Sequence, residues 1–156
     1  MTSPGSAVTI QHAAPRTIAA VHARLSPRDI PREFARHLDK VYGARAAGIQ
    51  LDGQNVFLYR AVPDQPDVVD VEFGVGITAP FASVGEVRPV DLPVGEVATT
   101  THWGAYAGVG AAHAAVVEWC RANGRTTSGV SWEVYGHWTP DEAQQRTDVY
   151  HLLRPA

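Results

Sequence analysis

The 156 residues, 45% of them hydrophobic, suffice for one domain with a core of its own. A net charge of −3 with no block of like charge offers no basic face to nucleic acid. The single cysteine, Cys120, excludes an internal disulfide framework, and no apolar run approaches the length of a membrane span. The N-terminus, MTSPGSAVTI, lacks the basic and apolar regions of a secretory signal, so a soluble cytoplasmic domain is expected.

In chain order, residues 1–7 are rich in Ser, Gly and Pro and are expected to be loose. Val8 to Gln11 reads as a short strand and Arg16 to Arg24 as the next. SPRDIP then opens a helix, with Ser26 or Asp29 as its cap and Pro27 or Pro31 in its first turn. Ile30, Phe34, Leu38 and Val41 recur at helical spacing, and Gly43 is a stop. Asn55 to Arg60 and Val68 to Ile77 alternate as strands across the turn VPDQPD. After a long connection, TAPFASVGEVRPVDLP, the order repeats. Gly95 to His102 is a strand, and HWGAY is a tight connection into a helix from Ala107 to Asn123, ended by Gly124. Gly129 to Trp138 and Asp148 to Leu153 are the last strands.

The pattern is an internal duplication of strand, helix, strand, strand, with Tyr59 and Tyr135 at equivalent places 76 positions apart. The halves run over about residues 8–80 and 86–154 of a single domain spanning 1–156. Similar layered halves tend to enclose a cleft, where small ligands bind.

The segments NVFLYR, DVVDVEFGVGI, GEVATTTHWGAY, EWCRANG, SGVSWEVY and RTDVYHLL, in this order and spacing, resemble the GyrI-like, or AraC-effector-binding, family over about residues 8–154. The resemblance implies an α+β fold. It consists of duplicated βαββ modules with pseudo-two-fold symmetry and antiparallel sheets covered by helices, with a ligand cleft between the halves. The chain resembles the stand-alone type, without a helix-turn-helix. Members of the family sense drugs or other small molecules. Some are implied to hydrolyse the cyclopropane ring of DNA-alkylating natural products, and others to protect gyrase. The family's central acidic residue matches Glu133, with Tyr135 beside it, and its HxGxY connection matches His102, Gly104 and Tyr106. The chain departs from the family in GHWTP after the WEVY strand and in Trp103 within HWGAY, which reshape the pocket and leave the ligand open.

Glu133 and Tyr135 lie two apart on a strand and share a face, while Trp132 and Val134 share the other. Phe57 and Tyr59 hold the equivalent places in the first half, and Trp103, Tyr106 and Trp138 are placed at the mouth. With Trp132, these residues form the ligand-binding set, and Glu133 and Tyr135 are the catalytic candidates. A carboxylate walled by aromatic rings suits a hydrophobic, aromatic or cationic guest, at roughly 0.5–2 kcal/mol per cation–ring contact. Desolvation would raise the carboxyl pKa, so the same residue also suits a general base. Two functions follow: multidrug capture, or a hydrolase that opens a strained ring and serves antibiotic resistance. The partner is thus a small molecule, with a protein partner or a homodimer left open, and without nucleic acid, membrane, cofactor or metal.

Plainer roles stand beside these. A strand Glu is commonly solvated, and Tyr59 and Tyr135 suit a packed core. Glu72 reads as solvent-facing or as half of an inter-strand pair. His22 and His102 either approach the pocket or are structural. No histidine pair has metal-ligand spacing. Trp119 and Cys120 read as packing, and the glycines at 74, 76, 108 and 110 lack the context of a phosphate loop.

Overall fold

The computed structural model describes residues 7–155; of the segment expected to be loose, only Ala7 falls within them. The chain divides into two compact units, Pro15–Leu92 and Met1–Ala14 with Pro93–Ala156. Both are α+β.

The continuous unit holds β2 (Thr17–Leu25), α1 (Ile30–Gly43), β3 (Leu51–Ala61), β4 (Val69–Ile77) and β5 (Arg88–Asp91), after β1 (Thr9–Ala13) of the other unit. Its antiparallel sheet runs β3-β4-β2-β5. Period-two alternation in β3 and β4 turns Phe57 and Phe73, directly paired, toward α1. The Phe73 ring meets Phe57 edge to face at 5.1 Å and stacks on His37 at 5.0 Å. Phe73, Val41 and Val21 are fully buried or nearly so, each contributing roughly 1.5–3 kcal/mol.

The helix differs in detail from expectation. Neither the Ser26 nor the Asp29 side chain accepts a capping hydrogen bond, and the Asp29 carboxylate instead pairs with Arg32. Its buried face is His37, Leu38 and Val41, while Phe34 is over a third exposed at 37%. One feature lay beyond the sequence reading: the segment read as a long connection contains β5, an edge strand on β2. Of the two places read for Glu72, the structure takes the inter-strand pair: it is buried and paired with Arg88. Gly74 sits where β2, β3 and β4 close up: a Cβ there would come within 2.5 Å of Ile18 Cδ1.

The discontinuous unit holds β1, β6 (Gly95–Trp103), α2 (Val109–Ala122), β7 (Thr127–Tyr135) and β8 (Arg146–Leu153). Its antiparallel sheet runs β1-β6-β8-β7. Thus β1, although the sequence reading put it in the first half, pairs with β6 of the second, Thr9 opposite Thr99. Val109, Ala112, Val116 and Cys120 of α2 bury themselves against Ala98, Val149 and Leu153, with Trp119 packed alongside. Gly124 ends the helix at φ 67, the left-handed backbone that glycine adopts without strain. The order strand, helix, strand, strand therefore recurs in the two units as β2-α1-β3-β4 and β6-α2-β7-β8, as the sequence implied.

Candidate functional site

Glu133 lies near the C-terminal end of β7, opposite Val149 of β8, on the face that α2 covers. That position buries it to 6% exposure. A buried carboxylate is costly unless donors surround it. Two are in place. The Tyr135 hydroxyl donates to Oε1 at 2.5 Å, and His113 Nε2 lies 2.6 Å from Oε2. Because an ionised carboxylate only accepts, His113 must carry its proton on Nε2 in this contact.

The chain of contacts continues. His113 Nδ1 lies 2.8 Å from Nε2 of His151 on β8, the rings nearly perpendicular at 76°. His151 is held well below the ordinary histidine value, at about 4, first by burial and then by His113 beside it. Tyr106, in the 3-10 turn Tyr106–Gly108, sets its ring edge-on to Tyr135 at 5.5 Å. Glu133 is thus flanked by a phenol and an imidazole, with a second phenol and a second imidazole behind them.

Within its unit the structure brings together Glu133, Tyr135 and Tyr106. Three others expected beside them, Trp132, Trp103 and Trp138, lie away from Glu133 in the same unit. Trp132 is buried on the opposite face of β7, stacked on Tyr150 at 5.3 Å. Trp103, 53% exposed, lies under the Arg146 guanidinium, on the face shared with Thr101 and Asp148. Trp138 is 70% exposed beyond the end of β7. In the other unit, Phe57 packs between Phe34 and Phe73, and half-buried Tyr59 follows two residues on along the same strand face. His22 binds Asp70, and His102 meets the Ala105 carbonyl and closes over Gly108. Cys120 is buried and its thiol is pushed up by that burial, which suits packing.

His113 and His151 were not legible as site residues. A signal for His113 did exist, because it falls between Ala112 and Val116 on the apolar stripe of α2. His151 had none beyond its even spacing from Val149 and Leu153 on the same strand face. Among the described residues, no group of three or more His, Cys, Asp or Glu is placed to hold a metal ion.

A polar hollow of about 170 Å³ opens on the opposite face of this unit's sheet, lined by residues that include Thr101, Arg146, Asp148 and Tyr150. Its polar groups satisfy one another: Thr101 and Arg146 both donate to Asp148 Oδ1, at 2.7 and 3.0 Å.

The family model of the GyrI-like small molecule binding domain matches residues 6–154. The chain belongs to that family. As a GyrI-like domain it is a small-molecule-binding domain. No curated protein matches it. Among solved structures it is similar to the EcmrR C-terminal domain, with TM-score 0.73 and 16% identity over 97% of this chain and 99% of that one. It is also similar to SAV2435 bound to tetraphenylphosphonium, with TM-score 0.69 and 13% identity over 95% and 94%. A third is a hydrolase from Listeria innocua, with TM-score 0.63 and 10% identity over 98% and 94%. At such identities the likeness shows the shared GyrI-like fold. No helix among the described residues is long and apolar enough to cross a membrane.

Proposed function

We propose that this domain captures hydrophobic, aromatic monocations, with Glu133 as their countercharge and Tyr135 and Tyr106 as the rings they pack on. The observation that carries this reading is the buried carboxylate of Glu133 held between Tyr135 and His113. A carboxylate withdrawn from water is screened less than an exposed one, so it attracts a lipophilic cation more strongly. Each cation–ring contact adds roughly 0.5–2 kcal/mol. A relative of the same fold bound to tetraphenylphosphonium supports that cation as the probe. Phe57 and Tyr59, at the equivalent strand positions of the other unit, are proposed as that unit's own ligand contacts. Calorimetric titration with tetraphenylphosphonium tests the reading. Saturable binding is expected, weakened at least about tenfold in Glu133→Gln, or about 1.4 kcal/mol. Equal affinity in the two proteins would overturn the role of Glu133.

A second reading is a hydrolase that opens the cyclopropane ring of DNA-alkylating natural products. The 2.5 Å contact of Tyr135 with Glu133 favours it. Glu133 would take a proton from water as the water oxygen adds to a ring carbon. The ring C–C bond would break toward a conjugated carbonyl, which Tyr135 protonates, and Glu133 would return its proton to Tyr135. A mass gain of one water, present in the wild type and lost in Glu133→Gln, is the expected result; unchanged compound rules the reading out.

A further inference from the structure

We propose that His102 is a positioning residue of the candidate site: it pins the turn that carries Tyr106, and so holds the Tyr106 ring edge-on to Tyr135, where an aromatic cation packs. The inference rests on the cation reading above and adds to it a residue that acts through another.

His102 is the second-last residue of β6, and Tyr106 opens the 3-10 turn Tyr106–Gly108 that leads into α2. Between them the chain has Trp103, Gly104 and Ala105 in which to change direction. Gly104 makes the bend at φ 121, a backbone open to glycine, and its N–H donates to the Gln145 carbonyl at 2.8 Å.

The next residue carries the contact on which the inference stands. The Ala105 carbonyl accepts from the Gly108 N–H at 3.0 Å, which is the turn's own bond, and from His102 Nε2 at 2.8 Å. A carbonyl oxygen only accepts, so His102 carries a proton on Nε2. The imidazole also lies against the far end of the turn. A Cβ at Gly108 would come within 2.7 Å of His102 Cε1, so the ring fills the space that a side chain would take there. One side chain thus grips the turn at the carbonyl before it and at its last residue. Ala105 itself makes no side-chain cap, so this hold is supplied by His102.

Tyr106 depends on such a hold. It is 38% exposed, and its ring meets Tyr135 edge-on at 5.5 Å. A ring so open to water is placed less by its own burial than by the backbone beneath it. If the turn were loose, a guest would have to order Tyr106 as it bound, and that ordering would be subtracted from its affinity. His102 removes the cost beforehand without touching the guest.

The test is a double-mutant cycle read by calorimetry with tetraphenylphosphonium, paired with aromatic NMR of the ligand-free proteins. His102→Ala should weaken binding about three- to tenfold, as Tyr106→Leu does, since each forfeits one cation–ring contact. The double variant should bind no more weakly than either single. His102→Gln keeps an N–H donor on a side chain of similar reach and should recover part of the loss. In the spectra, the mutual ring-current displacement of the Tyr106 and Tyr135 signals should collapse in His102→Ala while the remaining signals stay those of the folded protein. Should His102→Ala fail to fold, Gly108→Ala, whose methyl crowds the imidazole from the other side, takes its place with the same expectations. Additive losses in the cycle overturn the inference, because His102 then acts independently of Tyr106; unmoved Tyr106 signals overturn it as well. If tetraphenylphosphonium does not bind the wild type, the cation reading falls and the spectra decide alone: collapsed displacements uphold the positioning role, and unmoved ones overturn it.

Discussion

Phe57 and Glu133 occupy the same place in the two units. Phe57 of β3 is directly opposite Phe73 of β4, and Glu133 of β7 is directly opposite Val149 of β8, at the same spacing. Above each strand lies a 14-residue helix, whose fifth residue is Phe34 in one unit and His113 in the other. The Phe34 and Phe57 rings meet at 6.1 Å in one unit, and His113 Nε2 and Glu133 Oε2 meet at 2.6 Å in the other. One copy of the motif is closed with apolar rings, and the other carries an acid and a base in their stead.

That equivalence predicts the outcome of copying one copy onto the other. Glu133→Phe alone leaves the His113 Nε2–H without this acceptor and should cost about 1–3 kcal/mol. His113→Phe with Glu133→Phe replaces the pair by the rings of the other unit and should recover most of that loss. Exchanging a buried ion pair for packed apolar groups is commonly neutral or stabilising. Thermal denaturation of the two singles and the double gives the coupling, expected above about 1 kcal/mol; additive losses would show that the pair does not act as a unit.

Acid stability should be governed by two buried imidazoles. His37 stacks on Phe73, neither of its ring nitrogens has a hydrogen-bond partner, and burial pushes its pKa down. His151 is lowered from 6.5 to about 4. For both, the unfolded chain binds the proton more readily than the folded one, so stability is intact above about pH 6.5 and falls as the pH drops below it. For His151 the fall is on the order of 2–3 kcal/mol by pH 4. Urea midpoints from pH 7 to 4 should decline in the wild type and less steeply in His37→Leu, which should also be more stable at pH 7. A parallel decline in both proteins would rule out His37 as a contributor. Asp70, lowered from 3.8 to about 2 chiefly by its bond to Arg24, adds a separate loss only below about pH 4.

Arg88→Ala should be among the costlier surface substitutions. Arg88 is nearly half exposed, yet it pairs with Oε1 of Glu72, which is buried and whose Oε2 has no hydrogen-bond partner. Removing the cation strands a buried charge, at a cost of about 3–5 kcal/mol. The double variant Arg88→Ala with Glu72→Gln should be more stable than Arg88→Ala alone, as read from the urea midpoint.

Gly74→Ala should destabilise through crowding. The added methyl would meet Ile18 Cδ1 at 2.5 Å and the carbonyl oxygens of Val56 and Ala19 at 3.1 and 3.2 Å. Ile18 can turn aside, but the two carbonyls belong to paired strands. A loss of about 1–3 kcal/mol in chemical denaturation is expected; wild-type stability would mean that the strands separate without cost.

The repeated element order was readable in the sequence because strand and helix periods alternate cleanly. The shared face of Glu133 and Tyr135 was readable for the same reason. β5 was not, since Arg88–Asp91 is short and contains Pro89, which is at home on an edge strand because it need not donate there. His113 and His151 were hidden because they come from α2 and β8, 38 positions apart, and only the packing of helix on sheet joins them. Trp103 and Trp132 have the composition of a binding wall, but strand parity sends both to the face away from Glu133.

The pairing of β1 with β6 also sets an order of events at the ribosome. Pro15–Leu92 is one uninterrupted stretch, and its own strands β2 to β5 are all made once Leu92 has emerged. β1 is made first yet has nothing to pair with until Gly95–Trp103 appears. Throughout that interval the β1 sequence waits without its β6 partner, and closure of that edge of β6 comes late, by a contact across some ninety residues, Thr9 to Thr99.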